Sequence, residues 1–274
     1  MTSAPSSSPT VPLPHLSAPG CVEASQRGAV LIATISRPEK RNALNDPTIF
    51  ALEKIASNVP SDVRAILLTG KGDNFSAGLD LSELSERDVP QGVRHSMSWH
   101  RALERLQFGD VPVVAVLQGA VIGGGLELAL ASHVRVAEAN AYYALPEGQR
   151  GIYVGGGASV RLPRVIGIDR MADMMLTGRT YSATEGLQLG LSQYVVDNGK
   201  GFEKGLELAE KISNNATITN FAVIHALPKI AEHDRGGGFL MEALMAGIAQ
   251  GEPDAKERVR AFLEKRAAKV QHKA

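Results

Sequence analysis

The stretch VPVVAVLQGAVIGGGLELALASHVRVA (residues 111–137) decides the fold, because it holds a strand, a glycine turn, a helix and a second strand in succession. Residues 111–119 form a short apolar run closed by glycine, which is typical of a buried strand. Residues 123–131 open on three glycines and continue as an apolar helix, and 133–137 are rich in valine. Strands and helices that alternate in this way predict a layered α/β core with mainly parallel strands.

The same alternation runs through the preceding part of the chain. AVLIATI (29–35) and VRAILLTG (63–70) have the β-branched, apolar composition of buried strands. Between them, Asp46 and Pro47 predict the start of a helix, since an acidic N-cap followed by proline is a common helix opening. A longer helix is predicted over 91–108.

The two ends of the chain differ in composition from this core. Residues 1–21 are rich in serine and proline and predict a disordered tail, because such residues cannot supply a packed core. The alternating core is predicted over 22–200. Residues 201–274 have an almost entirely helical pattern with apolar stripes that need a partner surface, so we predict a C-terminal helical extension there.

Composition limits the functions open to the chain. The 274 residues carry 29 Lys and Arg against 29 Asp and Glu, and this neutrality disfavours nucleic acid or an anionic membrane as a partner. The single cysteine, Cys21, cannot form an internal disulfide, and the N-terminal segment lacks the basic start and apolar core of a signal peptide. No apolar run is long enough to span a bilayer. These features predict a cytoplasmic protein.

Common cofactor and metal motifs are missing from the sequence. The glycines at 155–157 lack the final glycine of a dinucleotide fingerprint and do not follow a first strand. No nucleotide P-loop, serine-hydrolase elbow or HExxH motif occurs, and the seven histidines are scattered. We therefore expect neither a metal site nor a bound nucleotide.

Two glutamates stand out by their apolar surroundings. Glu127 follows the glycines at 123–125 at an apolar helix start, and Glu147 follows a proline at the exit of an apolar stretch. Such a pair is suited to acid–base catalysis, because desolvation separates the pKa values of the two carboxyls and hence their roles. The residues alone leave a second interpretation open, in which Glu127 is a helix-start charge and Glu147 a loop residue.

Two glycine-containing segments that follow predicted strands, 76–81 and 123–125, are candidates for binding negative charge. Glycine lets the main chain approach a ligand and exposes its amide hydrogens, and amides at a helix start favour an anion. Amides from two such loops can form an oxyanion hole for an enolate or a tetrahedral intermediate. Each segment by itself also suits an ordinary turn.

Five segments occur in the order and spacing of one known family. They are RPEKRNALN (37–45), FSAGLDL (75–81), GGGLELALA (123–131), PEGQRGI (146–152) and AFLEKR (261–266). Over residues 25–268 the chain thus resembles the crotonase superfamily, the enoyl-CoA hydratase/isomerase family. The resemblance implies an α/β fold with a crotonase-like spiral of repeated ββα units and a C-terminal α-helical extension. It also implies an acyl-CoA substrate and a homo-oligomer, a trimer or a dimer of trimers, assembled through residues 201–274.

The resemblance assigns roles to individual residues. The thioester carbonyl would lie between the backbone amides of Leu79 and Gly124, while Glu127 would orient and deprotonate water and Glu147 would protonate C2. The implied CoA- and substrate-binding residues are Lys40, Arg41, Ala43, Leu44, Ala77, Asp80, Leu81, Ser82 and, toward the CoA of a neighbouring subunit, Phe262 and Lys265. No cofactor is implied, because CoA is part of the substrate.

Both glutamates favour one reaction of this family. Its hydratases use two glutamates to add water across the 2,3 double bond of an enoyl-CoA thioester, whereas many of its isomerases keep only one carboxylate. We therefore expect an acyl-CoA hydratase. A double-bond isomerase, a hydratase-lyase or a C–C hydrolase remains an alternative, as does a non-catalytic binding protein, because the fold does not fix the chemistry.

The segment after Glu147 departs from the family pattern. Many hydratases read GIxPGxGGTQRL there, whereas this chain reads GIYVGGGASVRL (151–162). Val154 stands where proline is common. This loop borders the acyl pocket in the family, so the departure leaves the acyl group open.

The predicted helix over 91–108 supplies the other candidates for the acyl pocket. Met97 and Trp99 are expected to border it beside Val154, and they suit a bulky acyl group. Two histidines of this helix, His95 and His100, are expected to be solvated rather than to act as bases.

Overall fold

The structure is a computed structural model that describes residues 8–83 and 87–266. Its strands are β1 (Thr10–Pro12), β2 (Val22–Arg27), β3 (Val30–Ile35), β4 (Ala65–Gly70), β5 (Val113–Leu117), β6 (Ala120–Ile122), β7 (Val134–Glu138), β8 (Tyr142–Ala144), β9 (Thr180–Ser182) and β10 (Tyr194–Val196). Its α-helices are α1 (Asp46–Ser57), α2 (Val89–Gln107), α3 (Gly124–Leu130), α4 (Ala158–Ile166), α5 (Ile168–Thr177), α6 (Ala183–Leu189), α7 (Gly201–Ser213), α8 (Thr217–Phe221), α9 (Leu227–Glu232), α10 (Arg235–Gly251) and α11 (Pro253–Leu263). Short 3₁₀ turns lie at Pro38–Lys40, Leu81–Glu83 and Gly148–Arg150, and a π-helical turn at Ala222–Ala226.

The larger sheet has seven strands in the order β1-β2-β3-β4-β5-β7-β10. Strands β3, β4, β5, β7 and β10 are parallel, and β1 and β2 extend one edge in antiparallel fashion. The strands predicted at 29–35, 63–70, 111–119 and 133–137 are confirmed as β3, β4, β5 and β7. Parallel neighbours need crossover connections, and helices supply them. The predicted mixed α/β class is confirmed.

A second, three-stranded sheet has the order β6-β8-β9. Successive repeats contribute one strand to each sheet, since β5 is followed by β6 and α3, and β7 is followed by β8. The parallel bridge between Ser76 and Val121 brings the segment after β4 into the same pattern. This is the spiral of repeated ββα units that the family resemblance implies.

Helix α7 covers one face of the larger sheet, although the sequence places residues 201–213 in a separate helical extension. Leu206 and Ala209 of α7 pack with Val30 and Ile32 of β3, while the alternate residues of β3 face the other side. Gly205 approaches the sheet so closely that a Cβ there would overlap the side chain of Val116. The first compact unit accordingly ends at Ser213 rather than at residue 200.

Part of the N-terminal segment that the sequence predicts to be disordered is folded. β1 pairs with β2 at the edge of the larger sheet, and Leu16 is buried in the main core. The amide of Leu13 donates a hydrogen bond to the carbonyl of Ala24 at 2.8 Å. The proline-rich composition is compatible with this arrangement because an edge strand tolerates residues without an N–H. The predicted disorder of residues 1–7 concerns a segment outside the described residues.

The second compact unit begins at Asn214 and contains α8 to α11. Its helical character agrees with the sequence pattern, and its assembly role stays a prediction. Within the described residues, no helix is both long and apolar enough to cross a membrane.

Candidate active site

Two loops, one before α1 and one after β4, pair with each other in the first unit. The Leu44 amide donates to the Gly78 carbonyl at 2.7 Å, and the Asp80 amide donates to the Leu44 carbonyl at 2.8 Å. Leu44 and Leu79 thus form a short parallel bridge. Arg41 has a positive φ of 52°, which lets the first loop turn back toward the second.

Asp80 fixes the turn that presents Leu79. Its carboxylate accepts hydrogen bonds from Arg37 Nη2 at 2.9 Å, Lys40 Nζ at 2.9 Å and Ser82 Oγ at 2.6 Å. Hydrogen bonds from Ser82 and Lys40 outweigh burial and hold the pKa of Asp80 well below its usual range. Lys40 and Asp80, both predicted to bind CoA, therefore bind each other here, and the carboxylate stays ionised at neutral pH.

The amides of Leu79 and Gly124 lie side by side at the junction of these loops with α3. A Cβ added to Gly124 would stand 3.5 Å from the Leu79 nitrogen, and one added to Gly78 would stand 3.4 Å from the Gly124 nitrogen. Within residues 8–83 and 87–266, neither amide donates to a protein acceptor. Two adjacent amides that are free of protein acceptors suit a ligand oxygen.

Glu127 lies in the first turn of α3 and is 3 % exposed. Its Oε1 accepts hydrogen bonds from the amides of Gly156 at 2.8 Å and Ala158 at 2.9 Å. Burial raises the pKa of Glu127, and these two amide hydrogen bonds act in the opposite direction. The loop at 155–158 thus holds one carboxylate oxygen and stabilises its negative charge.

Glu147 approaches α3 from the turn after β8. A Cβ on Gly123 would stand 2.5 Å from Glu147 Oε1, so a larger residue at this position would displace the carboxylate. Among the described residues, Glu147 Oε2 is buried without a hydrogen-bond partner. Burial, together with the nearby charge of Glu127, raises the pKa of Glu147 to about 7. The two predicted glutamates are therefore close together but differ in their hydrogen bonding.

Helix α2 carries two of the three residues predicted to border the acyl pocket, and one of them, Trp99, lies in the same region. Trp99 is buried, and its Cζ3 would lie 3.5 Å from a Cβ on Gly124. Val154 is partly buried against the same core, whereas Met97 is exposed. Trp99 thus borders the two free amides directly, while Met97 does not reach into the core.

The two histidines of α2 both have polar partners. His95 Nε2 lies 2.7 Å from Asp46 Oδ1, so the expectation of a simply solvated histidine is wrong for His95. Asp46 is the first residue of α1 rather than its predicted N-cap, because the side chain of Asn45 caps the helix instead. His100 Nε2 lies 3.4 Å from Ser96 Oγ, and its ring is near enough to Glu127 to favour the charged form of that carboxylate.

The remaining predicted substrate-binding residues fall into two groups. Arg41, Ala43, Ala77 and Leu81 lie on the paired loops of the first unit, where the Ala77 amide donates to the Arg41 carbonyl at 2.9 Å. Phe262 and Lys265 lie at the end of the second unit, and Phe262 is exposed on α11. In the described part of the chain, no group of three or more His, Cys, Asp or Glu side chains is arranged to hold a metal ion.

Sequence reasoning missed the partners that position these groups. The sequence places Gly156 and Ala158 in a loop that lacks a dinucleotide motif and departs from the family pattern. It predicts no contact of these residues with Glu127, although the glycine run that opens α4 resembles the run that opens α3. Arg37 and Ser96 were not singled out, yet Arg37 holds Asp80, and Ser96 Oγ donates to the Gly155 carbonyl at 2.8 Å. The glycine pattern at 155–157 could have indicated the loop that binds Glu127. The side-chain partners lie far apart in sequence, so no local pattern indicates them.

Comparison with known proteins identifies the family of the chain. The family model described as enoyl-CoA hydratase/isomerase matches residues 25–273. A short-chain-enoyl-CoA hydratase of Clostridium acetobutylicum is 31% identical over 88% of this chain and 94% of its own length. A 2,3-dehydroadipyl-CoA hydratase of Escherichia coli is 32% identical over 88% of this chain and 95% of its own.

Solved structures give the same result. The crystal structure of a candidate enoyl-CoA hydratase from Rhodopseudomonas palustris has a TM-score of 0.89 and 57% sequence identity, and the match covers 93% of this chain and 98% of that one. The family model spans most of the chain, and the curated relatives are named hydratases. The chain therefore belongs to the enoyl-CoA hydratase/isomerase family, as an enzyme of the hydratase kind.

Proposed function

We propose that this enzyme adds water across the 2,3 double bond of an enoyl-CoA thioester, with Glu127 as the base and Glu147 as the acid. One observation carries the proposal: two buried carboxylates with unequal hydrogen bonding lie beside a pair of free backbone amides. Hydration needs a base for water, an acid for C2 and a site for the enolate charge that forms between the two steps. These groups supply all three.

The amides of Leu79 and Gly124 would bind the thioester oxygen. Attack at C3 moves electron density onto that oxygen, so donors fixed beforehand stabilise the enolate more than the substrate. Gly124 is the first residue of α3, and the positive end of the helix dipole adds to the effect. The bridge between Leu44 and Leu79 supports this arrangement because it fixes one donor relative to the paired loop.

The hydrogen bonds of the two glutamates support their division of roles. Glu127 Oε1 already accepts two amide hydrogen bonds, which stabilise its ionised form and leave Oε2 to accept a proton from water. Burial and the charge of Glu127 raise the pKa of Glu147 to about 7, so a large fraction of Glu147 is protonated at neutral pH. A carboxyl group with such a pKa is well matched to proton donation near pH 7.

The proton balance of the reaction fits a closely spaced pair. The hydroxyl of water bonds to C3 and its proton goes to Glu127, while Glu147 gives its proton to C2. After one turnover Glu127 is protonated and Glu147 is ionised, so a proton must return from the first carboxyl to the second. We propose no cofactor, because the residues named here account for each proton and each electron pair.

The paired loops are the proposed binding site for CoA. Lys40 is partly exposed while its ammonium group bonds to Asp80, so its alkyl stem and charge lie at the surface of the loop that carries Leu79. Six further residues around the same loop junction are proposed to contact substrate: Arg41, Ala43, Leu44, Ala77, Leu81 and Ser82. Met97, Trp99 and Val154 are proposed to border the acyl group.

We further propose a cytoplasmic homo-oligomer, a trimer or a dimer of trimers, assembled through the second unit. Helix α10 supports an assembly role because Phe239, Leu240, Leu244 and Ile248 are all more than half exposed, and apolar side chains in such number favour a partner surface. In that assembly Phe262 and Lys265 would reach the CoA of a neighbouring subunit. Light scattering after size-exclusion chromatography would give the subunit number, and a monomer would contradict this proposal.

The reaction type is tested by a panel of straight, branched and aromatic enoyl-CoA thioesters in heavy water. Loss of the enoyl absorbance with one deuterium at C2 and a hydroxyl at C3 is the expected result. Deuterium exchange without net hydration would indicate an isomerase, and release of an aldehyde would indicate a lyase. A protein that binds CoA but turns over none of these thioesters would contradict the proposal.

A further inference from the structure

Trp99 is anchored through its indole nitrogen to the helix opposite. Its Nε1 donates a hydrogen bond to Asp46 Oδ1 at 2.8 Å, which joins α2 to the first residue of α1. His95, one turn earlier on α2, places Nε2 2.7 Å from the same oxygen. Because a carboxylate only accepts hydrogen bonds, both ring nitrogens donate, and Asp46 fixes the orientation of both rings.

The other edge of the same indole ring lies against the free amides. The position of a Cβ on Gly124 would be 3.5 Å from Trp99 Cζ3, 3.5 Å from the Leu79 nitrogen and 3.7 Å from Leu44 Cδ1. Trp99 is 4 % exposed, so its ring is packed between α1 and the loops that carry the amides. The ring therefore lies beside Gly124, the first residue of α3.

We propose that Asp46 is a positioning residue that holds the Trp99 ring against Gly124 and thereby fixes the oxyanion hole. The proposal rests on the proposed function in one respect, namely that the two amides bind a CoA thioester oxygen. It adds that a carboxylate which does not touch substrate sets the distance between those amides.

The groups around Asp46 keep its carboxylate ionised, so that it can accept hydrogen bonds from both rings. Burial acts to raise the pKa of Asp46, but hydrogen bonds from Trp99 and His95 outweigh it and the pKa is lowered. Arg87 Nη2 lies 4.0 Å from Asp46 Oδ2, and the N-terminus of α1 adds a favourable dipole. A buried indole N–H needs an acceptor, and loss of a charged acceptor costs more than loss of a neutral one.

A role confined to clamping α1 and α2 together is the alternative, and the chain offers a matched control for it. At the far end of the same two helices, Arg105 Nε donates to Ser57 Oγ at 3.2 Å. Ser57→Ala removes a cross-helix hydrogen bond without touching Trp99. Asp46→Asn keeps an oxygen acceptor for the indole, whereas Asp46→Ala removes it, and Trp99→Phe keeps a ring but removes the donor.

The test uses the full-length protein with acetoacetyl-CoA, whose β-keto thioester gains enolate absorbance when an oxyanion hole stabilises the ionised form. The chain contains one tryptophan, so indole fluorescence reports Trp99 alone. We expect Asp46→Ala to shift the emission and to reduce the bound enolate about tenfold or more. Asp46→Asn should restore the emission and bring the bound enolate to within about threefold of the wild type. Ser57→Ala should leave both the emission and the enolate unchanged. The enolate loss of Asp46→Ala combined with Trp99→Phe should not exceed that of the larger single change.

Several results would overturn the inference. One is an Asp46→Ala protein with wild-type enolate absorbance, whatever its melting temperature; another is a wild-type protein that does not ionise acetoacetyl-CoA at all. If Asp46→Ala does not fold, the Trp99→Phe variant is measured instead, and an undiminished amount of bound enolate in that variant would overturn the inference. A wild-type protein that ionises acetoacetyl-CoA but hydrates no enoyl-CoA would remove the hydratase proposal and leave the positioning role standing.

Discussion

Glu127 lies close enough to Glu147 for its charge to hinder the ionisation of Glu147. Burial is the larger cause, and the two effects together raise the pKa of Glu147 to about 7. Glu127, in turn, is held by two backbone amides. The two carboxyl groups thus differ in what stabilises their charge, and this difference supports the proposed roles of Glu147 as the acid and Glu127 as the base.

The rate of hydration should fall as the pH rises through about 7. The proposed acid is Glu147, and its protonated fraction decreases above its pKa of about 7. A profile of kcat against pH from 5 to 9 would measure this decline. A kcat that rises steadily over the same range would contradict the assignment of Glu147 as the acid.

Glu147→Gln should stabilise the protein at pH 8 and have little effect near pH 4.5. The pKa of Glu147 is raised from its ordinary 4.5 to about 7, so between these values the folded state binds more protons than the unfolded state. The free energy of unfolding of the wild type therefore falls as the pH rises, by about 3 kcal/mol in total, and glutamine avoids this loss.

Thermal melts at the two pH values would measure this difference. Glu203→Gln is the control, because that carboxylate is exposed on α7 and forms only a surface ion pair with Lys200. Equal stability of Glu147→Gln and wild type at pH 8 would show that burial does not disfavour the charge on Glu147.

Neighbouring glycines should respond differently to alanine. A Cβ at Gly156 would stand 2.8 Å from Glu127 Oε2 and 3.0 Å from its Cδ, whereas a Cβ at Gly155 would find its nearest neighbour, Ser96 Oγ, at 3.7 Å. Gly156→Ala should displace Glu127 and lower kcat about 100-fold, because small displacements of a catalytic group cost that much. Gly155→Ala should stay within about twofold. Equal kcat values for the two variants would contradict the assigned role of Glu127.

Substitutions of Lys40 and Asp80 should have different effects, the first mainly on substrate binding and the second mainly on stability. Lys40→Met removes a partly exposed charge and should cost less than about 1 kcal/mol of stability while raising the KM for acyl-CoA about tenfold with kcat retained. Asp80→Asn removes the charge that pairs with buried Arg37 and should cost about 3 kcal/mol. Denaturant titrations and steady-state kinetics measure the two effects. An unchanged KM for Lys40→Met would remove Lys40 from the CoA site.

The elements that the sequence predicts well are those encoded by local pattern. The valine-rich run at 113–117 and the apolar run at 65–70 need no distant partner to be recognised. The fold of residues 10–21 depends instead on pairing with β2 and on one buried leucine, Leu16, which a serine- and proline-rich composition conceals. The attachment of α7 to the sheet was missed for a similar reason, since its contacts lie far away in the chain.

The candidate site shows the same limit. Family motifs point to Glu127, Glu147 and the two amides, because these positions lie in short conspicuous segments. The groups that hold them come from elsewhere: Asp80 is bound by Arg37, 43 residues away, and Trp99 by Asp46, 53 residues away. Such pairs depend on how the loops and helices pack, which no local spacing encodes.

The most direct test of the two-glutamate mechanism is the hydration rate of Glu127→Gln, Glu147→Gln and the double variant with a substrate that the wild type turns over. Each single change should lower kcat about 1,000-fold while CoA binding is kept, and the double variant should lose little more, because every turnover needs both carboxyl groups. A single variant with wild-type kcat would contradict the account.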